Sequence, residues 1–168
     1  MEIIDKAIIE SESMMQRGVS APRILKLLVQ AAEKFQGDVI SSILLLDEQG
    51  LLRNGASPGL PADYLAAIDG LKPDPNIGTC AAVAATGTMV FTPDFLQDNK
   101  WAELKHLPLA LGFVGAWSVP VKTPEGEILG TFGTYYRDKR EPSLKEIKGI
   151  KELANMAAKV LELDKVKN

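Results

Sequence analysis

The sequence predicts an α+β domain: one antiparallel sheet, with long helices from both termini on one face and short helices and loops on the other. Three observations predict it. Residues 115–136, GAWSVPVKTPEGEILGTFGTYY, are two apolar segments joined by a Pro-Glu-Gly turn. Amphipathic helical patterns bracket the chain. Between residues 58 and 112, glycine and proline break the pattern into short pieces.

Residues 2–17 place Ile3, Ile4, Ala7, Ile8, Ser11, Met14 and Met15 on one helical stripe. Ser20 stands at the cap of a second helix, with Pro22 in its first turn and Gly37 at its close. Residues 39–46 form a strand with almost no polar face, which belongs inside a sheet. Asp47 to Gly50 is a turn, and the more polar residues 51–56 return nearer an edge. Residues 61–68 make a short helix carrying Tyr64, Leu65 and Ile68. Pro73 and Pro75 exclude regular structure around them. Gly78 and Gly87 bound a helix of small residues that contains Cys80. A short strand spans residues 88–91, and residues 93–112 are loop and short helix.

In the hairpin, Pro124 suits the first central turn position and Gly126 the left-handed position that closes it. Pro120 cannot donate to a ladder, so it marks a bulge or a wide-spaced position. Ser143 with Glu146 reads as the capping box of the last helix. Two apolar stripes run along that helix, wide enough to pack on both the sheet and a partner. The chain divides into an N-terminal helix, residues 1–18, suited to dimerisation or linkage; a globular part, residues 19–163; and a tail, residues 164–168.

The 168 residues suffice for a single domain that needs no disulfide or metal staple. A net charge of −3 gives nothing to attract a polyanion, so nucleic acid is not an expected partner. The single cysteine excludes an internal disulfide and a multi-cysteine metal site, and fits a reducing, cytoplasmic compartment. The N-terminus lacks the basic start and apolar core of a signal peptide, and no apolar run reaches the ~20 residues of a membrane span. The hairpin is short of reactive side chains, which points to sensing or binding rather than catalysis.

Four features resemble the GAF domain, a sensory module of bacterial signalling proteins. They are Gly78-x-Cys80-Ala81 opening the small-residue helix; Trp101 in the loop; Ala116-Trp117-Ser118-Val119-Pro120; and Gly130-Thr131-Phe132 through Tyr135-Tyr136, followed by Arg140-x-Pro142. Together they are similar to the GAF domains of two-component sensor histidine kinases and of diguanylate cyclases, over residues 20–163. The resemblance implies a sheet of about six antiparallel strands. It also implies terminal helices on one face, a ligand pocket under the roof, and a homodimer through the terminal helices. Ala81 stands where such domains often carry glycine.

The expected pocket residues are Cys80, Phe91, Phe95, Trp101, Phe113, Trp117, Ser118 and Thr134. The aromatic ones serve either as pocket wall or as core. Thr131, Ser118 and Thr134 would offer hydroxyls to a small polar ligand. Alternation puts Ala116, Ser118 and Pro120 on one face and Gly115, Trp117 and Val119 on the other, without saying which meets the roof. Cys80, just inside a helix start, is either a dipole-favoured thiolate or a small packed hydrophobe. The first reading would allow a thiol-dependent reductase of methionine sulfoxide, but no resolving cysteine exists.

His106 is the one imidazole that could serve haem, and its loop setting favours a solvent-facing or capping role. Cys80 has no following histidine, which disfavours bilin attachment. Asn99-Lys100 and Phe113 echo the cyclic-nucleotide signature, but Trp117-Ser118 stand where its acidic residues belong. The cofactor is left open. Asp94, Asp98 and Glu103 read as solvated loop charges. The expected function is therefore a small-molecule-sensing or regulatory domain, with a reductase and a ligandless dimerisation module as alternatives.

Overall fold

The computed structural model describes residues 2–101 and 104–167. Five strands form one sheet: β1 (Val39–Leu46), β2 (Leu52–Ala56), β3 (Val90–Thr92), β4 (Gly115–Lys122) and β5 (Ile128–Tyr136). Their order is β2-β1-β5-β4-β3, and every pair is antiparallel. The apolar hairpin β4–β5 therefore holds the middle of the sheet, and the polar strand β2 lies at its edge, as the patterning requires. The resemblance implied about six strands; the described residues contain five. Beyond β2 there is only a single bridge, Leu52 with Leu71, and Pro73 and Pro75 stop pairing from going further.

Two helices, α2 (Ala21–Gln36) and α6 (Leu144–Lys167), cover one face, and α1 (Glu2–Gln16) packs on those two helices. Their apolar stripes meet Val39, Ile43, Trp117, Val119, Val121, Phe132 and Tyr136 of the sheet in one core. α6 comes very close to its neighbours. A Cβ on Gly149 would lie 2.6 Å from the Phe35 ring and 3.3 Å from Ile4, so only glycine fits at that crossing. The helix runs on through residues 164–167, where the pattern ends and a tail was expected, and Lys165 pairs there with Glu127.

On the other face α3 (Ala62–Ile68), α4 (Thr79–Thr86) and α5 (His106–Ala110) join the loops as a roof. The turn chemistry agrees with the sequence at most joints. Gly126 adopts φ +94° and donates its N–H to the Thr123 carbonyl, closing the turn over Pro124. Ser143 and Glu146 bond reciprocally at 2.9 and 3.1 Å, a complete capping box. Ser20 occupies the cap of α2 but its hydroxyl makes no capping bond there. Pro120 pairs in register with Thr131 beyond the end of β3, and the bulge falls one step later, between Val121 and Lys122.

Candidate functional site

The register decides which face of the hairpin meets the roof. Trp117 stands opposite Thr134 and Ser118 opposite Gly133, so each pair shares a face. Ala116 and Tyr135 belong to the roof cluster, whereas Trp117, Phe132 and Tyr136 belong to the helix-side core. Of the eight expected pocket residues, Phe95, Trp101 and Phe113 lie in the roof cluster, with Cys80 packed against it. Ser118 joins them through Cys80. Trp117 lies on the opposite face, Phe91 packs there too, and Thr134 bonds to Gln36 at the end of α2. The eight do not line one cavity. A strand alternates faces at every residue, so Trp117 and Ser118 could never have shared one.

Side chains fill the space between roof and sheet. Tyr64 of α3 donates its hydroxyl to that of Tyr135 at 2.7 Å, with the two rings perpendicular. Phe113 stacks on Tyr135 at 5.1 Å, and Phe95 packs on Trp101 at 4.5 Å. The Trp101 indole N–H donates to Thr79 Oγ1 at 2.8 Å, and Thr79 bonds in turn to Thr92 of β3 at 3.0 Å. This network pins α4 to the loop that carries Trp101. Burial pushes both tyrosine pKa values up, so neither hydroxyl ionises near neutral pH. Tyr64 and Tyr135 were legible only as a helix residue and a strand residue. Neither lies near the other in sequence, and no local spacing announces their contact.

Cys80 sits at the second residue of α4, with its sulfur against the sheet. A Cβ on Gly133 would stand 3.1 Å from that sulfur, so glycine makes the room it occupies. The thiol lies 3.7 Å from Ser118 Oγ, and Ser118 donates to the Phe132 carbonyl. Burial pushes the Cys80 pKa up despite hydroxyls from Thr131 and Ser118 that favour the thiolate. Of the two readings of Cys80, the small packed hydrophobe is the one its burial favours: desolvation outweighs the short helix. Thr131 Oγ1 is buried beside it, on the roof face of β5.

An open cleft of about 390 Å³ lies on the roof, lined by Asn76, Pro93, Asp94, Gln97, Asp98 and Asn99. Three carboxamides and two carboxylates give it donors and acceptors in close array. None of the eight expected residues lines it. Asp94 was expected to be a solvated charge, yet its side chain is only 15% exposed. Its carboxylate accepts from the Leu96 N–H and pairs with Lys139 at 3.1 Å, and these contacts hold its pKa low. Glu103 lies outside the described residues. Asn76 and Gln97 went unnoticed because carboxamides in loops carry no periodicity.

The helix side has its own polar knot. Gln36 Nε2 donates to Thr134 Oγ1 at 3.1 Å, and Ser41 shares that hydroxyl. His106 is the exposed first residue of α5. Among the described residues no group of three or more histidine, cysteine or acidic side chains could hold a metal ion. No helix of the described residues is long and apolar enough to cross a membrane.

The family model of the GAF domain matches residues 19–162. The chain is 31% identical, over 162 residues, to the methyl sulfide methyltransferase-associated sensor of Methanosarcina acetivorans. That match covers 94% of this chain but only 16% of the sensor's length. The GAF domain of a phosphoenolpyruvate-protein phosphotransferase from Coxiella burnetii superposes with a TM-score of 0.77 at 18% identity, covering 98% of this chain and 95% of that one. A type II free methionine-R-sulfoxide reductase from Thermoplasma acidophilum gives 0.67 at 17%, covering 84% and 92%. The chain belongs to the GAF domain family.

Proposed function

We propose that this GAF domain is a sensory or regulatory module that takes a small polar molecule at its roof and reports it through the terminal helices. The observation that carries the reading is the roof cleft. Its volume of about 390 Å³ suits a small ligand, and Asn76, Gln97 and Asn99 offer it hydrogen bonds. The 31% identity to a protein named as a sensor supports the sensory role. The context would be cytoplasmic signal transduction, of the kind that sensor kinases or cyclases serve. The resemblance of residues 20–163 to the GAF domains of sensor histidine kinases and diguanylate cyclases supports that context.

The terminal helices would also make the homodimer. Ile9 on α1 is 68% exposed, and a groove of about 670 Å³ between α1 and α2 lies along the same layer. A second copy would bury both.

The reductase reading draws on the fold likeness to the Thermoplasma enzyme, and two properties of this chain oppose it. Cys80 is the sole cysteine, and burial raises its pKa, which disarms the nucleophile.

Thermal melting against a panel of small polar metabolites tests the sensory reading. A ligand at about 100 times its Kd stabilises by ~2.7 kcal/mol, a shift of several degrees. One chemical class should give that shift, and the double variant Asn76→Ala, Gln97→Ala should lose it. A panel without any shift would sink this reading in favour of a ligandless dimerisation module.

A further inference from the structure

The segment that leaves the end of β5 touches both layers. Arg137 lays its guanidinium over the Phe113 ring, 5.0 Å from the centroid, on the roof side. Lys139 reaches Asp94 of the roof cleft at 3.1 Å. Arg140, only three residues after Arg137, turns the other way. It stacks over Tyr136 at 4.4 Å and approaches Glu146 of α6 at 3.8 Å. Glu146 is the carboxylate of the capping box that starts α6. A line of backbone bonds runs beside these side chains. The Phe95 N–H donates to the Val114 carbonyl and the Val114 N–H to that of Tyr136, each at 2.8 Å.

We infer that residues 137–146 are a charged strap that carries a displacement of the roof cleft at Asp94 to the first turn of α6. The route has no gap: Asp94 to Lys139, one residue along the chain to Arg140 and its contact with Glu146, then the helix cap. A cation over an aromatic face and an ion pair both weaken quickly with distance, so each joint has a made and an unmade state. Asp94 is held low and charged by Leu96 and Lys139, so it is a fixed anchor near neutral pH. A ligand in the cleft that competed for this carboxylate would release Lys139. Arg140 would then lose an ordered segment beside it, and Glu146 would lose the charge that helps hold it against Ser143. The inferred use of the strap in signalling rests on the sensory reading above. The mechanical link does not, because it is present without ligand.

Hydrogen exchange of the full chain tests it, with Asp94→Asn as the perturbation and the amides of residues 147–150 as the readout. That near-isosteric change removes the charge seen by Lys139. Exchange at residues 147–150 should quicken about threefold or more, the scale expected when one coupled contact is lost, while α2 stays unchanged. Asp69→Asn, which breaks an Arg53 ion pair at 2.8 Å elsewhere on the roof, should leave residues 147–150 unchanged. In an Arg140→Gln background, Asp94→Asn should have no further effect there; Glu146→Gln, which can keep the capping box and removes the ion pair with Arg140, replaces it if Arg140→Gln does not fold. The strap is overturned if Asp94→Asn leaves residues 147–150 unchanged, if α2 and α6 quicken equally, or if Asp69→Asn does the same. A failed metabolite panel with this pattern intact would remove the ligand and leave the strap standing.

Discussion

The two faces of this sheet are buried by different means. On the helix side, Leu28, Val29, Leu153 and Ala157 come from long amphipathic helices and share one apolar core with the sheet, beside the polar knot of Gln36, Ser41 and Thr134. On the roof side, Tyr64, Phe95, Trp101 and Phe113 come from short helices and loops and pack over Tyr135 of β5. Directed bonds between hydroxyls and an indole hold those segments together. The first kind of packing is continuous and cooperative. The second consists of local contacts between pieces that have few neighbours of their own, so it opens at lower free energy. If the roof takes the ligand, stability and response are divided between the faces, and the division can be tested one face at a time.

The largest effect should come from tryptophan. Trp117 is 1% exposed in the helix-side core, and Trp117→Ala should cost about 3–5 kcal/mol in urea unfolding. Trp101→Ala on the roof removes a similar area, yet should cost less than about 3 kcal/mol, because the loop can open around the lost ring. Equal costs would break the comparison.

The tyrosine pair sharpens it. Tyr64→Phe or Tyr135→Phe alone leaves one buried hydroxyl without a partner, at about 1–3 kcal/mol each. The double variant should cost less than the sum, since no orphan remains. Additive losses would mean that water already satisfies the pair, and that the roof is wetter than its packing implies.

Alkaline pH should then strike the roof before the helix side. The Cys80 pKa is raised above its ordinary value of 9.0, mainly by burial. Below that value both folded and unfolded states keep the proton, and the full stability is present. Above it the unfolded thiol ionises first, so stability falls as pH rises, by at most about 1.4 kcal/mol per pH unit for this group, until the folded thiol also ionises. Tyr135 adds the same sign from its ordinary value of 10.0 upward. Cys80→Ser should flatten the decline between pH 9 and 10 while leaving the midpoint at pH 7 nearly unmoved. An unchanged slope would show that the thiol is open to solvent.

The same division explains what the sequence could show. The helix side was legible: stripes at helical spacing, Gly37 after α2, the Ser143–Glu146 box and the Pro124–Gly126 turn all act within a few residues. The edge position of β2 followed from its Arg53 and Asn54. The roof was legible only as a region. Its meaning lies in contacts across long separations, such as Tyr64 with Tyr135 or Thr79 with Trp101, and neither periodicity nor capping records these. The alternation of β4 was readable, but its absolute direction was not. Trp117 was placed at the pocket for that reason, and the register with β5 puts it under the helices.

The smallest effect concerns the outer surface of the helix side. Ile9 contributes little to the core, being 68% exposed, so Ile9→Ser should change the stability of a single copy by no more than about 0.5 kcal/mol. Its value is in what else it changes. If α1 is the surface that a second copy covers, removing a large apolar side chain at its centre should shift a dimer toward monomer in light scattering, with melting of the monomer unaffected. If the oligomeric state stays as it was, the exposed isoleucine is incidental. α1 would then be a stabilising layer alone, and any signal from the roof would have to leave the domain along α6 within a single chain.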